Sequence, residues 1–145
     1  MSWNVLPALL ASLLAGQPGL EGGLNIPRHW SVVREKGTVS ATSPSADALI
    51  QISTLEAAGL DAAATAFFSK GGGKSERSWR SPIHGRTALW HRIRAGDGNG
   101  EVRGFAVFVA DGGRIFQIVA VADSAVYRKY EEILRAAVES FAPSP

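Results

Sequence analysis

The side chains of this chain that could do chemistry are few and scattered. Gly71 to Ser75 (Gly-Gly-Gly-Lys-Ser) has the last residues of a phosphate-binding loop, but the first glycine of that motif would fall at Phe68. The motif also needs a strand before it and a helix after it, and the predicted order here is the reverse. The string Asp97 to Glu101 suggests a calcium loop, yet Ala95 and Ala106 occupy two of the carboxylate positions. Neither string therefore predicts a ligand.

The histidines offer one enzymatic alternative. The chain has three histidines and no cysteine, so disulfides, thiol catalysis and cysteine-based zinc sites are excluded. His84 and His91 could form a hydrolase or metal site if their rings converge in the fold. No HExxH string and no Gly-x-Ser-x-Gly elbow accompanies them. We therefore expect no catalytic residue, no metal ligands, no cofactor and no enzyme, and keep the histidine pair as an alternative.

A basic segment with interleaved tryptophans is the most distinctive stretch. The formal net charge is only +2, but the segment from Lys70 to Arg114 holds nine Lys or Arg against four Asp or Glu. Such a surface could grip phosphates and stack bases, so a nucleic-acid-binding module using the Arg77–Arg94 hairpin is a second alternative. A solvated face whose arginine stems cover aromatic rings explains the same residues more simply. If the hairpin contacts a partner, the predicted contact residues are Trp79, Arg80, His84, Trp90 and Arg92.

The elements that must position these side chains are organised around the stretch from residue 101 to residue 141. Two apolar runs, Glu101–Ala110 and Arg114–Ala122, are separated by Asp-Gly-Gly. Asp-Gly between apolar runs predicts a hairpin turn, because glycine adopts positive φ without a steric clash. Both runs are apolar on both faces, which predicts central strands that are covered on each side.

An amphipathic helix is predicted directly after this hairpin. Apolar side chains recur at i, i+3 and i+4 spacing from Val126 to Phe141 and indicate one buried stripe. Asp123 or Ser124 is the expected N-cap, and Pro143 prevents continuation. Because such stripes usually pack on their own sheet, a helix face that binds a partner is the weaker interpretation.

The patterns upstream complete the predicted fold. They predict three strands (30–34, 38–42 and 48–54), a helix over 62–69 capped by Asp61, a weak edge strand over 76–81 and a strand over 86–94. The order is βββ-α-ββββ-α. With its hairpin turns, this order predicts an α+β fold, an antiparallel sheet of about six to seven strands flanked by helices.

The first 25 residues differ in character from the rest. Val5–Gly16 is strongly apolar but too short to span a bilayer as a helix, so we expect no transmembrane span. It has the length of a signal-peptide core, although no Lys or Arg precedes it, and a glycine-rich linker follows. We expect residues 1–25 to be a signal-like or disordered extension and residues 26–145 to be a single domain. A periplasmic or exported location is predicted, with a cytoplasmic one as the alternative.

Three stretches carry a family resemblance. The first is Pro27–Val32, with His29 where glycine is usual; the second is Ile83–Ala88; the third combines Gly112–Phe116 with Tyr130-Glu and the closing Ser140–Pro143. On these stretches, in this order, the chain from about residue 30 to its end resembles the C-terminal domain appended to some exported bacterial M48-family zinc metallopeptidases. The resemblance implies a PsbP/Mog1-like α/β/α sandwich. The peptidase module and its HExxH helix are absent, so no catalytic residue is carried over.

The resemblance and the lack of catalytic motifs together favour one function. They predict a non-catalytic, envelope-associated accessory domain that binds a protein partner or substrate. Homodimerisation through an exposed strand is left open.

Overall fold

Seven strands form one antiparallel sheet in the computed structural model, which describes residues 23–96 and 100–143. The strands are β1 (Ser31–Glu35), β2 (Thr38–Thr42), β3 (Ala48–Leu55), β4 (Lys74–Arg80), β5 (Ala88–Gly96), β6 (Glu101–Asp111) and β7 (Arg114–Asp123). Their order in the sheet is β1-β2-β3-β7-β6-β5-β4. Every neighbouring pair is antiparallel. This confirms the α+β class and the antiparallel sheet.

The predicted central hairpin is formed by β6 and β7. Their pairing runs without interruption from Val102 opposite Asp123 to Asp111 opposite Arg114. Gly112 and Gly113 make the turn with φ of 56° and 85°, the conformation that favours glycine. On their outer sides β6 pairs with β5 and β7 with β3, so both strands are interior to the sheet, as predicted.

The two described helices cover opposite faces of the sheet. Helix α1 (Leu60–Ser69) follows β3, and α2 (Tyr127–Glu139) follows β7. The apolar side of α1 packs on one face, against the cluster that contains Phe108 and Val119. The stripe of α2 packs on the other face, against the cluster that contains Phe105 and Ile118. Side chains that alternate along β6 and β7 thus supply both cores, which explains why these strands are apolar on both faces.

The predicted cap of α2 is corrected by the structure. Neither Asp123 nor Ser124 caps α2 with its side chain; a 3₁₀ turn, Ser124–Val126, precedes the helix, and the Ser124 hydroxyl donates to Glu101 Oε1 at 3.0 Å. The two residues that precede the expected start of the domain contact the rest of the chain. Leu24 is only 2% exposed, and the Asn25 N–H donates to Ser140 Oγ at 2.8 Å beside the end of α2.

The signal-like stretch and the turn predicted at 97–100 fall largely outside the described ranges, since residues 1–22 and 97–99 are not described. Among the described helices, none has the length and apolar character needed to cross a membrane.

Candidate functional site

A pair of stacked tryptophans organises the outer part of the β4–β5 hairpin. Trp79 lies opposite Trp90, with ring centroids 5.7 Å apart and an interplanar angle of 19°. Both rings are on the face that α2 covers. Trp90 is 3% exposed, packs edge-on against Phe105 and donates its Nε1–H to Ser81 O at 3.1 Å. Trp90 therefore belongs to the buried core beneath Trp79. Because it is buried, it does not fit the predicted role of a residue that contacts a partner directly.

Trp79 is half-buried and stacks on the outer side of Trp90. The Arg77 guanidinium sits 4.9 Å from the Trp79 ring centroid, a cation–π distance. The arginine and both tryptophans share one face because Arg77 and Trp79 are two residues apart on β4, where side chains alternate, and Trp79 lies opposite Trp90. Arg77 and Trp79, together with the unpaired side of β4, are called the β4 edge surface below. Stacking fixes its aromatic group in place before any partner arrives.

Arg92 lies beside this surface but is engaged with α2. Its Nη1 donates to the Tyr127 hydroxyl at 3.2 Å and to Glu131 Oε2 at 3.3 Å. Burial raises the pKa of Tyr127, and the charge of Arg92 opposes part of that rise. Burial therefore keeps Tyr127 neutral at physiological pH, and the contact with Arg92 ties β5 to the helix. Arg92 is therefore occupied in holding the fold.

Arg80 points to the opposite face of the sheet. Its Nη2 is 3.1 Å from Asp61 Oδ1 at the start of α1, and both side chains are largely exposed. An exposed pair of this kind contributes about 0–1 kcal/mol. The alternation of β4 thus separates Arg80 from Trp79, and the two predicted contact residues do not form one patch. Asp61, which was predicted to cap α1, makes no side-chain cap.

The two histidines of the enzymatic alternative lie on opposite faces. His84 adopts a positive φ of 48° in the β4–β5 connection, and its Nδ1 donates to Phe141 O at 2.9 Å, after α2. His91 packs under α1, with its ring 5.0 Å from Phe68 and its Nδ1 2.7 Å from Ser75 Oγ. In this arrangement the rings cannot act on one metal ion or one substrate atom. The alternative that needed them to converge is therefore corrected.

Burial sets the charge state of His91. Its Nε2 is buried and has no hydrogen-bond partner among the described residues. Burial lowers the pKa of His91, and the charge of Asp61 opposes that effect only in part. The ring is neutral in the folded chain near pH 7. Within the described ranges, no group of three His, Asp or Glu side chains is placed to hold a metal ion.

Most arginines of the basic segment already have acidic partners. Their ion pairs are Arg80–Asp61, Arg86–Asp111 at 3.0 Å, Arg92–Glu131, and Arg94 with both Glu76 at 2.9 Å and Glu101 at 3.2 Å. Arg77, whose described contact is the Trp79 ring, is the exception within the Arg77–Arg94 hairpin. The basic excess seen in the sequence is therefore much reduced as a source of phosphate contacts.

The unpaired side of β4 completes the surface. Among the described strands, β4 pairs only with β5 and forms one edge of the sheet, with β1 at the other. An edge strand carries backbone N–H and C=O groups that another chain can bond. β4 has seven residues, of which Lys74, Arg77 and Arg80 are basic and Glu76 is acidic. The charged side chains and the irregularity after Ser75 discourage indiscriminate pairing at this edge.

Sequence reasoning missed Arg34, in β1, whose Nε and Nη2 atoms are buried and have no partner within residues 23–96 and 100–143. The available signal was a lone arginine that follows Val32 and Val33 on a short apolar strand. It also missed the contact of Asp47 with Tyr130, because the two residues are 83 positions apart in the sequence.

Comparison with known proteins supports the fold alone. No family model matches the chain, and no curated protein matches it. Among solved structures, the Pseudomonas aeruginosa protein PA94 has a TM-score of 0.61 and 18% sequence identity, over 92% of this chain and 97% of that one. PA94 is described as a protein of unknown function with a suggested role as a regulator. At this identity the likeness establishes a shared fold and carries no activity over.

Proposed function

We propose that this chain is a non-catalytic binding domain that engages a protein partner through the β4 edge surface. The observation that carries the proposal is the Trp79–Trp90 stack at an edge strand, capped by Arg77. Aromatic and arginine side chains that are fixed before binding are typical anchors of protein interfaces. The unpaired side of β4 would supply main-chain hydrogen bonds to an added strand, and the aromatic patch would supply specificity.

The finer part of the proposal concerns family and compartment. A sheet with one helix on each face is compatible with the PsbP/Mog1-like sandwich that the resemblance to the M48-associated domain implies. We place the domain in the bacterial envelope, with a partner or substrate that is itself exported. The role suggested for PA94, a regulator, is compatible with a protein that acts by binding. A second copy of this chain is another candidate occupant of the β4 edge.

A photo-crosslinking experiment tests the binding surface. A photoreactive phenylalanine analogue replaces Lys74, which lies on β4 opposite Arg94. A matched probe replaces Arg128, which is exposed on α2. The full chain is expressed in a Gram-negative host and irradiated. We expect discrete adducts from position 74 and none of the same mass from position 128.

Two further variants give this experiment its control. Trp79→Ala and Arg77→Glu, each introduced beside the probe at position 74, should remove the adducts. Arg77 is exposed, so its replacement tests the surface even if Trp79→Ala weakens the fold. Adducts that persist in both variants, or that appear equally at position 128, would contradict the proposal. An adduct with twice the mass of the chain would identify a second copy as the partner.

Compartment is tested separately by intact mass and osmotic shock. Release by shock, together with loss of roughly 16–25 N-terminal residues, the usual range of a signal peptide, is the expected result. A full-length chain that stays in the cytoplasm would contradict the envelope assignment. It would not contradict the proposal that β4 binds a partner.

A further inference from the structure

A cavity of about 310 Å³ lies at the sheet edge opposite β4, where the β1–β2 turn, the end of β3 and the start of β7 meet. Arg34 stands opposite Val39, and Val39 stands opposite Ile52, so one lateral row of the sheet forms part of the wall. One part of the wall is apolar and consists of Val39, Ile52 and Phe116. The other part is basic and consists of Arg34, Lys36 and Arg114.

Arg34 lines the cavity, and one edge of its guanidinium has unused hydrogen-bonding capacity. Its Nε and Nη2 atoms are buried and have no partner among the described residues. These two nitrogens lie on the same edge of the planar guanidinium, where their N–H groups can donate two parallel hydrogen bonds to one carboxylate. A buried donor without an acceptor is costly, and the cost is greater for a charged group. An anion placed here would remove that cost.

The acidic side chains near the cavity do not accept hydrogen bonds from this edge of Arg34. Asp111 accepts from Arg86 at 3.0 Å and lies 3.6 Å from Arg114. Glu35 lines the cavity, but it is exposed and follows Arg34 on β1, where alternation directs it to the other face. The Arg114 guanidinium lies 4.8 Å from the centroid of the Phe116 ring. Cations therefore flank an apolar wall, and the acids are held away from Arg34.

We propose that this cavity binds a small organic carboxylate with an apolar body. The Arg34 side chain turns its covered Nε–Nη2 edge toward the cavity to take the carboxylate, and the body packs on Val39, Ile52 and Phe116. A cavity of this volume is at the small end of ligand sites, which fits one ring or a short aliphatic chain. This site is independent of the β4 edge surface, so either can fail without the other.

Nuclear magnetic resonance titration of the isotopically labelled full chain tests the proposal. The probe is hydrocinnamate, with hydrocinnamamide and inorganic phosphate as comparison ligands. With hydrocinnamate, up to about 10 mM, we expect saturable shifts at Arg34 Nε–H and the Ile52 methyl groups, a range that reveals even weak ligands. The amide should not bind. Phosphate that binds as tightly as hydrocinnamate would overturn the assignment of an apolar carboxylate.

Three variants separate recognition from folding. Arg34→Lys keeps the charge but loses the paired donors, and should weaken binding about tenfold or more. Arg34→Met fills a similar volume and should abolish binding while leaving the midpoint of thermal unfolding unchanged or higher, because the unsatisfied guanidinium is gone. Arg128→Lys, on α2, should bind as the wild type does. No saturable shift in the wild type, equal binding by Arg34→Met, or a lowered midpoint in that variant would each overturn the proposal.

Discussion

At the residue scale, His91 carries the clearest pH dependence. The ring is held between Phe68 and Phe108, at 5.0 Å and 6.1 Å, and burial lowers its pKa below the ordinary 6.5. As the pH falls below 6.5, the unfolded chain takes up a proton that the folded chain resists. The free energy of unfolding should therefore fall with pH in the window that begins at 6.5 and extends down to the folded pKa.

His91→Gln is expected to flatten this part of the stability curve. The check is urea unfolding of wild type and variant at about pH 7.5 and about pH 5.5, on either side of the ordinary histidine value. The wild type should lose more stability between the two conditions than the variant does. Equal losses would show that His91 does not resist protonation in the folded chain.

At the element scale, a carboxylate joins the β2–β3 connection to α2. Asp47 Oδ1 accepts from the Tyr130 hydroxyl at 2.7 Å and from Ser43 Oγ at 2.8 Å. Burial by itself raises the pKa of Asp47, but hydrogen bonds from Tyr130, Ser43 and its own backbone, with the charge of Lys129, outweigh it and lower the pKa. The ionised carboxylate thus helps to hold the helix.

Asp47→Asn should cost about 1 kcal/mol of stability near neutral pH, because charge-assisted hydrogen bonds at a partly exposed site become neutral ones. The folded pKa lies below the ordinary 3.8. The stabilisation is therefore present above pH 3.8 and is lost as the pH falls through the folded value. Urea unfolding between neutral and acid pH checks both points, with Asp123→Asn at an exposed position as the control. Identical acid limbs in wild type and Asp47→Asn would contradict this account.

A glycine permits the close approach of β6 and β7. A Cβ at Gly104 would clash with the carbonyl oxygen of Ala120, which is part of the backbone and cannot move aside. Gly104→Ala should therefore lower the free energy of unfolding by about 1–3 kcal/mol, the usual cost of overpacking. Gly100→Ala meets no atom within 4 Å and is the matched control. Chemical denaturation measures both; equal stability of the two variants would contradict the packing described for the hairpin.

At the scale of the whole molecule, local patterns predicted most of the fold. The Asp111-Gly-Gly turn and the stripe of α2 placed the central hairpin and the helix, because both signals are local. The β4–β5 register could not be predicted from the sequence, because it depends on the irregularity after Ser75. The acid that pairs with Arg92 lies 39 residues away on α2. The sequence therefore predicted one cluster of contact residues where the structure separates them. It also gave no sign of the Arg34 cavity, because three separate chain segments form its wall.

Nucleic-acid binding is a whole-molecule property that this charge arrangement does not favour. The formal net charge is +2, and most arginines of the Arg77–Arg94 hairpin have acidic partners within the fold. We expect fluorescence anisotropy to detect no salt-dependent binding of single-stranded DNA to the full chain at low ionic strength. Binding that weakens steeply as salt is added would instead support the nucleic-acid alternative.

The central claim is that a protein partner adds to the β4 edge. It is tested most directly by amide hydrogen exchange of the full chain, with and without the partner that crosslinking identifies. Protection should increase in β4 (Lys74–Arg80), whose outer amides are bonded to no described strand, while β1 at the opposite edge should be unchanged. Protection confined to β1, or no change in β4 at saturating partner, would contradict the claim.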